Sequence, residues 1–192
     1  TKLWWCPSAD NKSYWKPVVN VPFVPTYVQG YGYQLGEKPL FAPTSLFCYG
    51  YNSWGVQEFV INPVSGVTLG LGAHVDDPNW PEAWNIRPDH VRKPAEMIAI
   101  GDAQTDGVYD SALDPETFGP DHQPGPEAPS TRHRGGSQIL YCDGHVQWDL
   151  QKTLIRPVSW MRRKWNNSNY PHWLWWPDKA YAEDTRPDWD IP

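Results

Sequence analysis

A chain of 192 residues, 40% of them hydrophobic, is long enough to form one domain around a core of its own. Its formal net charge of −6 argues against nucleic-acid binding, which needs a concentrated basic face, and its basic cluster is only Arg162, Arg163 and Lys164. No apolar run approaches the about 20 residues of a transmembrane helix, so the sequence predicts neither a membrane span nor a signal peptide.

The 21 prolines are spread along the chain and exclude long helices, because proline fixes φ and lacks the N–H donor. We therefore expect an α+β protein that is mostly β, with an antiparallel sheet, long Pro-rich ordered loops and little helix. A short helix is expected over Trp160–Asn166, with Ser159 as its N-cap. The predicted strands, in chain order, are Leu3–Cys6, Leu46–Asn52, Glu58–Ile61, Met97–Asp102, Gln138–Cys142 and His145–Leu150.

The most informative segment is residues 130–150, which contains two apolar-rich runs on either side of Asp143-Gly144. Asp-Gly is a preferred two-residue type I′ turn, so the segment predicts a β-hairpin. Such a turn would pair Tyr141 with Val146, and strand side chains alternate between faces. The core face would then consist of Ile139, Tyr141, Val146 and Trp148.

The same segment resembles a known family, because His133 is followed after nine residues by Asp143-Gly144. Prepilin-type and type II secretion pseudopilin-like proteins of the planctomycete type carry such a processing-associated His-(nine residues)-Asp-Gly domain. The resemblance extends over nearly the whole chain. Further segments similar to the family, in the expected order, are Leu3–Ser8, Tyr49–Gly55, Thr68–Gly72, Val91–Ala103 and Arg162–His172.

The resemblance implies a pilin-like head domain over residues 1–170. Its function would be structural and without catalysis, as a self-associating subunit of an extracellular pilus-like filament or of a pseudopilus. Family members begin with a basic leader and an apolar helix, whereas Thr1 opens directly on the Cys-Pro segment. Either the chain is processed or incomplete and a missing helix would have anchored the precursor, or the anchor is absent. The head would be exported and would face the periplasm before assembly at the cell surface.

Thirteen tryptophans are the second unusual feature, and they mark residues 171–192 as a Trp- and Pro-rich acidic tail. Trp173, Trp175 and Trp176 lie among prolines that prevent a single helical stripe, so we expect them, with Trp165, at an interface between copies. The tail would dock on its own head or on a neighbour. Truncation after Tyr170 should then leave a folded head that no longer assembles. Ordinary core packing and a surface carbohydrate-binding module are the alternatives.

Four residues form the candidate structural site, namely His133, Asp102, Asp143 and Gly144. The resemblance places His133 and Asp102 at motif positions, and we expect the His133 side chain to partner the buried Asp102 carboxylate. It also suggests calcium, with Asp102 and Asp143 as oxygen ligands, because pseudopilin heads often bind it. No other cofactor is expected. The sequence has no paired-ligand motif for zinc and no nucleophile motif, so we expect no enzyme activity.

The chain contains three cysteines, Cys6, Cys48 and Cys142. An odd count in an exported protein suggests one disulfide and one thiol, or a partner in another chain. The family resemblance implies that the early cysteine pairs with one just after the missing helix, which would leave Cys6 without its partner. A Cys48–Cys142 bond stays open, because spacing does not fix connectivity.

Overall fold

The computed structural model describes Cys6, Ser8 and residues 48–57, 67–72, 86–104 and 112–184. Within these ranges the chain is mostly sheet with little helix, as expected. The strands are β1 (Tyr49–Tyr51), β2 (Ile98–Asp102), β3 (Thr117–Phe118), β4 (Gln123–Pro124), β5 (Gly136–Tyr141) and β6 (Val146–Leu150). The single-turn α-helices are α1 (Gln151–Leu154) and α2 (Ser159–Arg162), and 3₁₀ turns cover Pro88–His90, Arg163–Trp165, Trp173–Trp175 and Lys179–Tyr181.

Four of the six predicted strands overlap observed ones, namely β1, β2, β5 and β6. The other two predicted strands lie outside the described residues. They are Glu58–Ile61 and Leu3–Cys6, of which the structure describes only Cys6. In the part of the chain that the structure describes, every helix is too short or too polar to cross a bilayer.

The main sheet has four antiparallel strands in the order β1-β2-β5-β6, and β3 pairs with β4 in a separate ribbon. Gly50 of β1 pairs with Gly101 of β2 on the face that meets the core. A Cβ at Gly101 would lie 2.5 Å from Ile139 Cδ1, and one at Gly50 would lie 2.8 Å from Leu113 Cβ. This glycine pair therefore lets apolar side chains pack directly on the sheet backbone.

The β5–β6 hairpin is present, but its predicted register is wrong by one residue. Leu140, not Tyr141, pairs with Val146, because the connection uses three residues, Cys142 to Gly144. The Gly144 N–H donates to Tyr141 O over 2.9 Å, and Gly144 has a φ of 93°. A turn closed by an αL residue is a three-residue loop with a bulge rather than a two-residue type I′ turn.

The register decides which side chains face the core. Tyr141 is buried and stacks on His145 across the hairpin at 4.3 Å between ring centroids. Val146 and Trp148 instead lie on the outer face, with 61% and 42% of their surface exposed. The expectation that Tyr141, Val146 and Trp148 share one core face is therefore wrong, since a slip of one residue moves a strand's side chains to the opposite face.

The core lies between the inner sheet face and the short helical turns that follow β6. Two tryptophans from the predicted interface belong to it, because Trp165 is 0% exposed and Trp176 is 1% exposed. The Trp165 indole N–H donates to Leu154 O over 3.0 Å, so the ring's polar atom is also satisfied within the chain. These two residues cannot form exposed interface area. The core cluster also contains Ile98, Leu113, Ile139, Tyr141, Leu154 and Met161.

Residues 171–184 of the predicted tail pack on the same chain. The Arg162 guanidinium lies 2.5 Å from the Asp178 carboxylate, with both side chains fully buried, and 5.3 Å from the Trp176 ring centroid. Asp184 accepts from the N–H of Ser159 over 2.7 Å. The predicted helix is confirmed over α2 and the following 3₁₀ turn, but Ser159 is its first residue and not its N-cap, which is Val158.

Candidate functional site

The candidate site lies at the corner of the sheet where β2 ends and β5 begins. His133 sits in the loop before β5, and its N–H and carbonyl both bond with Gly136, at 3.1 and 3.2 Å. Positive φ values at Arg134 and Gly135 turn the chain into the strand. This tight loop holds the His133 ring beside the last residue of β2, Asp102.

Asp102 is the centre of the site and is 1% exposed. Its Oδ2 accepts from the Gln138 N–H over 2.9 Å and lies 3.2 Å from His133 Nε2. The predicted contact between His133 and Asp102 is therefore confirmed. A buried carboxylate needs such partners, because its desolvation would otherwise favour the unfolded chain.

Arg132 is a member of the site that the sequence reasoning missed. Its guanidinium lies 3.6 Å from Asp102 Oδ1 and donates to Cys48 O over 2.9 Å and to Ala103 O. Only 7% of the side chain is exposed. Arg132 thus connects the backbone just before β1 to the backbone just after β2. The one indication in the sequence was that Arg132 is adjacent to His133, which was expected to contact the Asp102 carboxylate.

Two of the three cysteines meet at this corner. Cys6 Sγ lies 3.2 Å from His133 Nε2, and the Cys6 N–H donates to Cys48 Sγ over 2.9 Å. Both residues are buried, and burial raises the pKa of the Cys48 thiol above its usual value. Cys6 therefore lies beside a second cysteine of the same chain but forms no disulfide with it, so the expectation that Cys6 lacks its disulfide partner is not contradicted.

Cys142 lies at the other end of the same strands. Its N–H donates to Met97 O, beside the start of β2, whereas Cys48 O accepts from the N–H of Ala103, just past the end of β2. A five-residue strand spans roughly 16 Å, far beyond the Cα separation of a disulfide. A Cys48–Cys142 bond is thus contradicted, and none of the three cysteines forms a disulfide. Burial raises the pKa of Cys142 to about 11.

Asp143 is also remote from Asp102, so the expected calcium pair is wrong. It occupies the exposed hairpin loop, where its carboxylate accepts from the His145 N–H at 3.1 Å and lies 2.6 Å from His145 Nδ1. These hydrogen bonds hold the pKa of Asp143 below its usual range. Asp143 and Gly144 serve the turn, at the opposite end of the strands from the Asp102 carboxylate.

The chemistry of the corner is set by one nitrogen. Cys6 Sγ and Asp102 Oδ2 each lie 3.2 Å from the same atom, His133 Nε2. A nucleophile–base–acid relay requires the acid and the nucleophile on different ring nitrogens. The arrangement therefore lacks the geometry of a catalytic triad. Its three donor atoms all lie within 4.8 Å of one another, which is the spacing of metal ligands.

A concave region lies beside the β3–β4 ribbon and includes Val56, and Pro177 of the tail, in its lining. Its volume is about 130 Å³, and Asp114, Glu116 and Glu127 contribute to its lining. Pockets that bury a small-molecule ligand usually occupy at least about 300 Å³. This acidic depression therefore does not offer a ligand pocket of ordinary size.

Comparison of the chain with family models, with curated proteins and with solved structures finds no match. The short motifs thus provide a resemblance and no more.

Proposed function

We propose that this chain is the pilin-like head of a structural subunit, exported to the cell surface, which associates with further copies in a filament or pseudopilus. The observation that carries the proposal is the contact between two distant motif residues, Asp102 and His133, at 3.2 Å. The residues that carry the family resemblance hold the sheet corner and the hairpin turn together.

The surface that supports self-association is the outer face of β6. Val146 and Trp148 are 61% and 42% exposed, and β6 is the last strand of the sheet among the described residues. The Trp148 indole N–H donates to His133 O over 2.7 Å, so the ring is held in place. Exposed apolar groups on an outer strand favour association, and a fixed side chain loses little entropy on binding.

The 3₁₀ turn Trp173–Trp175 supplies a second apolar site on the surface. Leu174 is 50% exposed, while Trp173 and Trp175 are half-buried against the core of their own chain. Of the four tryptophans expected at an interface, these two keep a surface that a neighbour could cover. We propose that they contact another copy together with the outer face of β6.

The test combines Val146→Lys with Trp148→Ser. Both side chains lie outside the core, so the variant should fold as the parent does. It should lose self-association, because the charge and the missing indole leave the outer β6 face unable to pack. Sedimentation over a range of concentrations and electron microscopy of filaments provide the measurement. Trp160→Ser is the matched control, since Trp160 is 41% exposed on α2.

Two outcomes would count against the proposal. If the wild-type chain stays monomeric at every concentration, or if the double variant assembles as well as the parent, β6 does not mediate assembly. Carbohydrate binding is the second candidate function, because a fixed and half-exposed indole such as Trp148 can stack on a sugar ring. Glycan binding by the monomer that Trp148→Ser abolishes would favour that alternative.

A further inference from the structure

We propose that Cys6, Asp102 and His133 bind a divalent transition-metal ion of the zinc class. The three donors come from three separate parts of the chain and meet at the sheet corner. Cys6 Sγ and Asp102 Oδ2 each lie 3.2 Å from His133 Nε2, and all three atoms lie within 4.8 Å of one another. With metal–ligand bonds of 2.0–2.3 Å, neighbouring ligands of a tetrahedral site lie about 3.3–3.8 Å apart, so a small contraction or shift of side chains brings the three donors into place.

One proton serves this arrangement poorly. A ring nitrogen of histidine carries at most one proton, so His133 Nε2 can make a full hydrogen bond to the Asp102 carboxylate or to the Cys6 sulfur. The other contact is then the weaker arm of a bifurcated hydrogen bond, in which two acceptors share one N–H. A cation at the centre of the three donors would be attracted to all of them at once. The shared nitrogen is thus better explained by a metal site than by a hydrogen-bonded pair.

A buried and incompletely satisfied carboxylate points the same way. Asp102 is 1% exposed, and its Oδ1 accepts no hydrogen bond from the residues that the structure describes. The nearest opposite charge is Arg132, 3.6 Å from that atom. Arg132 offsets one negative charge, and its hydrogen bonds to Cys48 O and Ala103 O hold it to the backbone. With Cys6 ionised, the corner would still carry one net negative charge.

The donor types select the class of metal. A thiolate and an imidazole suit zinc and similar ions, whereas calcium requires several oxygen ligands. Binding forms a sulfur–metal bond as the Cys6 thiol releases its proton to solvent. The Cys48 thiol lies beside Cys6, where its sulfur accepts the Cys6 N–H over 2.9 Å. Outer contacts of this kind hold a metal ligand in position.

The test uses the full chain, reduced and freed of metal with a chelator, and then titrated with Co²⁺ and Zn²⁺. One Co²⁺ ion should bind, with the near-ultraviolet absorption of a cobalt–thiolate bond. Cys6→Ser should lose that band, and His133→Asn should weaken metal binding more than about 100-fold, beyond the 10–100-fold effect of outer contacts. Cys142→Ser and His145→Asn are the matched controls, since they change the same residue types at the far end of the strands.

X-ray absorption of the zinc-loaded wild type keeps the test valid if a variant fails to fold. One sulfur ligand among nitrogen and oxygen ligands is expected, and a shell without sulfur would overturn the proposal. So would the absence of the cobalt–thiolate band in the reduced wild type. A Cys6–Cys48 disulfide in protein taken from its host would also overturn it, because that sulfur could not bind the ion. None of these results depends on whether the chain forms filaments.

Discussion

Gly144 illustrates a residue whose backbone conformation alone limits what can replace it. Its φ is 93°, and a Cβ at this position would meet no other atom within 4 Å. Gly144→Val should therefore lower the free energy of unfolding by about 1–3 kcal/mol through strain alone, since β-branched residues avoid positive φ. Urea unfolding measures this. Gly144→Asn is the control and should cost less, because asparagine tolerates the left-handed region; equal losses would contradict the strain argument.

His172 should make stability depend on pH. It is 6% exposed, stacks on Trp175 at 5.3 Å, and burial lowers its pKa to about 4. Folding favours the neutral form of His172. Its contribution to the free energy of unfolding is therefore complete above about pH 6.5 and is lost as pH falls through 4. Between pH 7.5 and pH 5 the free energy of unfolding should fall by about 2 kcal/mol because of this residue.

The measurement is urea unfolding at those two pH values. His172→Asn should remove about that part of the pH dependence, and asparagine also tolerates the positive φ of 53° at this position. The control is His145→Asn, which makes the same substitution at an exposed histidine of the hairpin loop. A wild-type slope that survives His172→Asn would show that another group causes it.

Among the elements, those with strong local patterns were predictable from the sequence. The apolar run before Asp102 and the alternation around Asp143-Gly144 both gave strands at the correct places. The register of the hairpin was predicted incorrectly, because Asp-Gly also fits a loop of three residues in which Gly144 is the αL residue. The β3–β4 ribbon, two residues per strand, has too little pattern to be predicted.

The candidate site was predictable only in its central pair. His133 and Asp102 were expected to meet, and they do. Cys6 and Arg132 were missed because their contacts join residues far apart in the chain and, unlike the His133–Asp102 pair, were not indicated by the family resemblance. Asp143 was grouped wrongly with Asp102, because a strand of five residues separates two motif positions that the sequence alone does not locate in space.

The contact between α2 and the tail depends on a fully buried ion pair. Asp178→Ala would leave the Arg162 charge buried without its partner, at a cost of about 3–5 kcal/mol. Glu183→Ala is the matched control in the same tail, since its pair with Arg156 is partly exposed and should contribute less than about 1 kcal/mol. Thermal and urea unfolding give both values. Equal effects of the two variants would show that the buried pair does not hold the tail.

A second variant separates the lost charge pair from the lost packing. Arg162→Met combined with Asp178→Leu removes both charges and keeps apolar volume. It should recover much of the stability lost in Asp178→Ala, because replacing both partners of a buried pair is far less costly than removing one. If the double variant is no more stable than the single one, packing around Asp178 rather than an unpaired charge causes the loss.

At the scale of the whole molecule, the head and residues 171–184 share one core. Trp176 is part of the same cluster as Ile139 and Leu154, and Asp178 also accepts a hydrogen bond from Thr117. The division at Tyr170 therefore does not separate two independent units. In residues 171–184, a neighbouring copy could therefore cover only the outer surface and not the side chains that the core buries.

Two truncations test this directly. Removal of everything after Tyr170 takes away Trp176 and Asp178. The loss of the tryptophan packing and the unpaired charge of Arg162 should each lower the free energy of unfolding by about 3–5 kcal/mol. Domains of this size are stable by only about 5–15 kcal/mol, so the shortened chain should be largely unfolded instead of forming the folded head first expected. Truncation after Asp184 keeps every described tail contact and should unfold cooperatively near the temperature of the full chain. Circular dichroism and thermal unfolding distinguish the two, and a stable, folded chain ending at Tyr170 would show that the tail is dispensable.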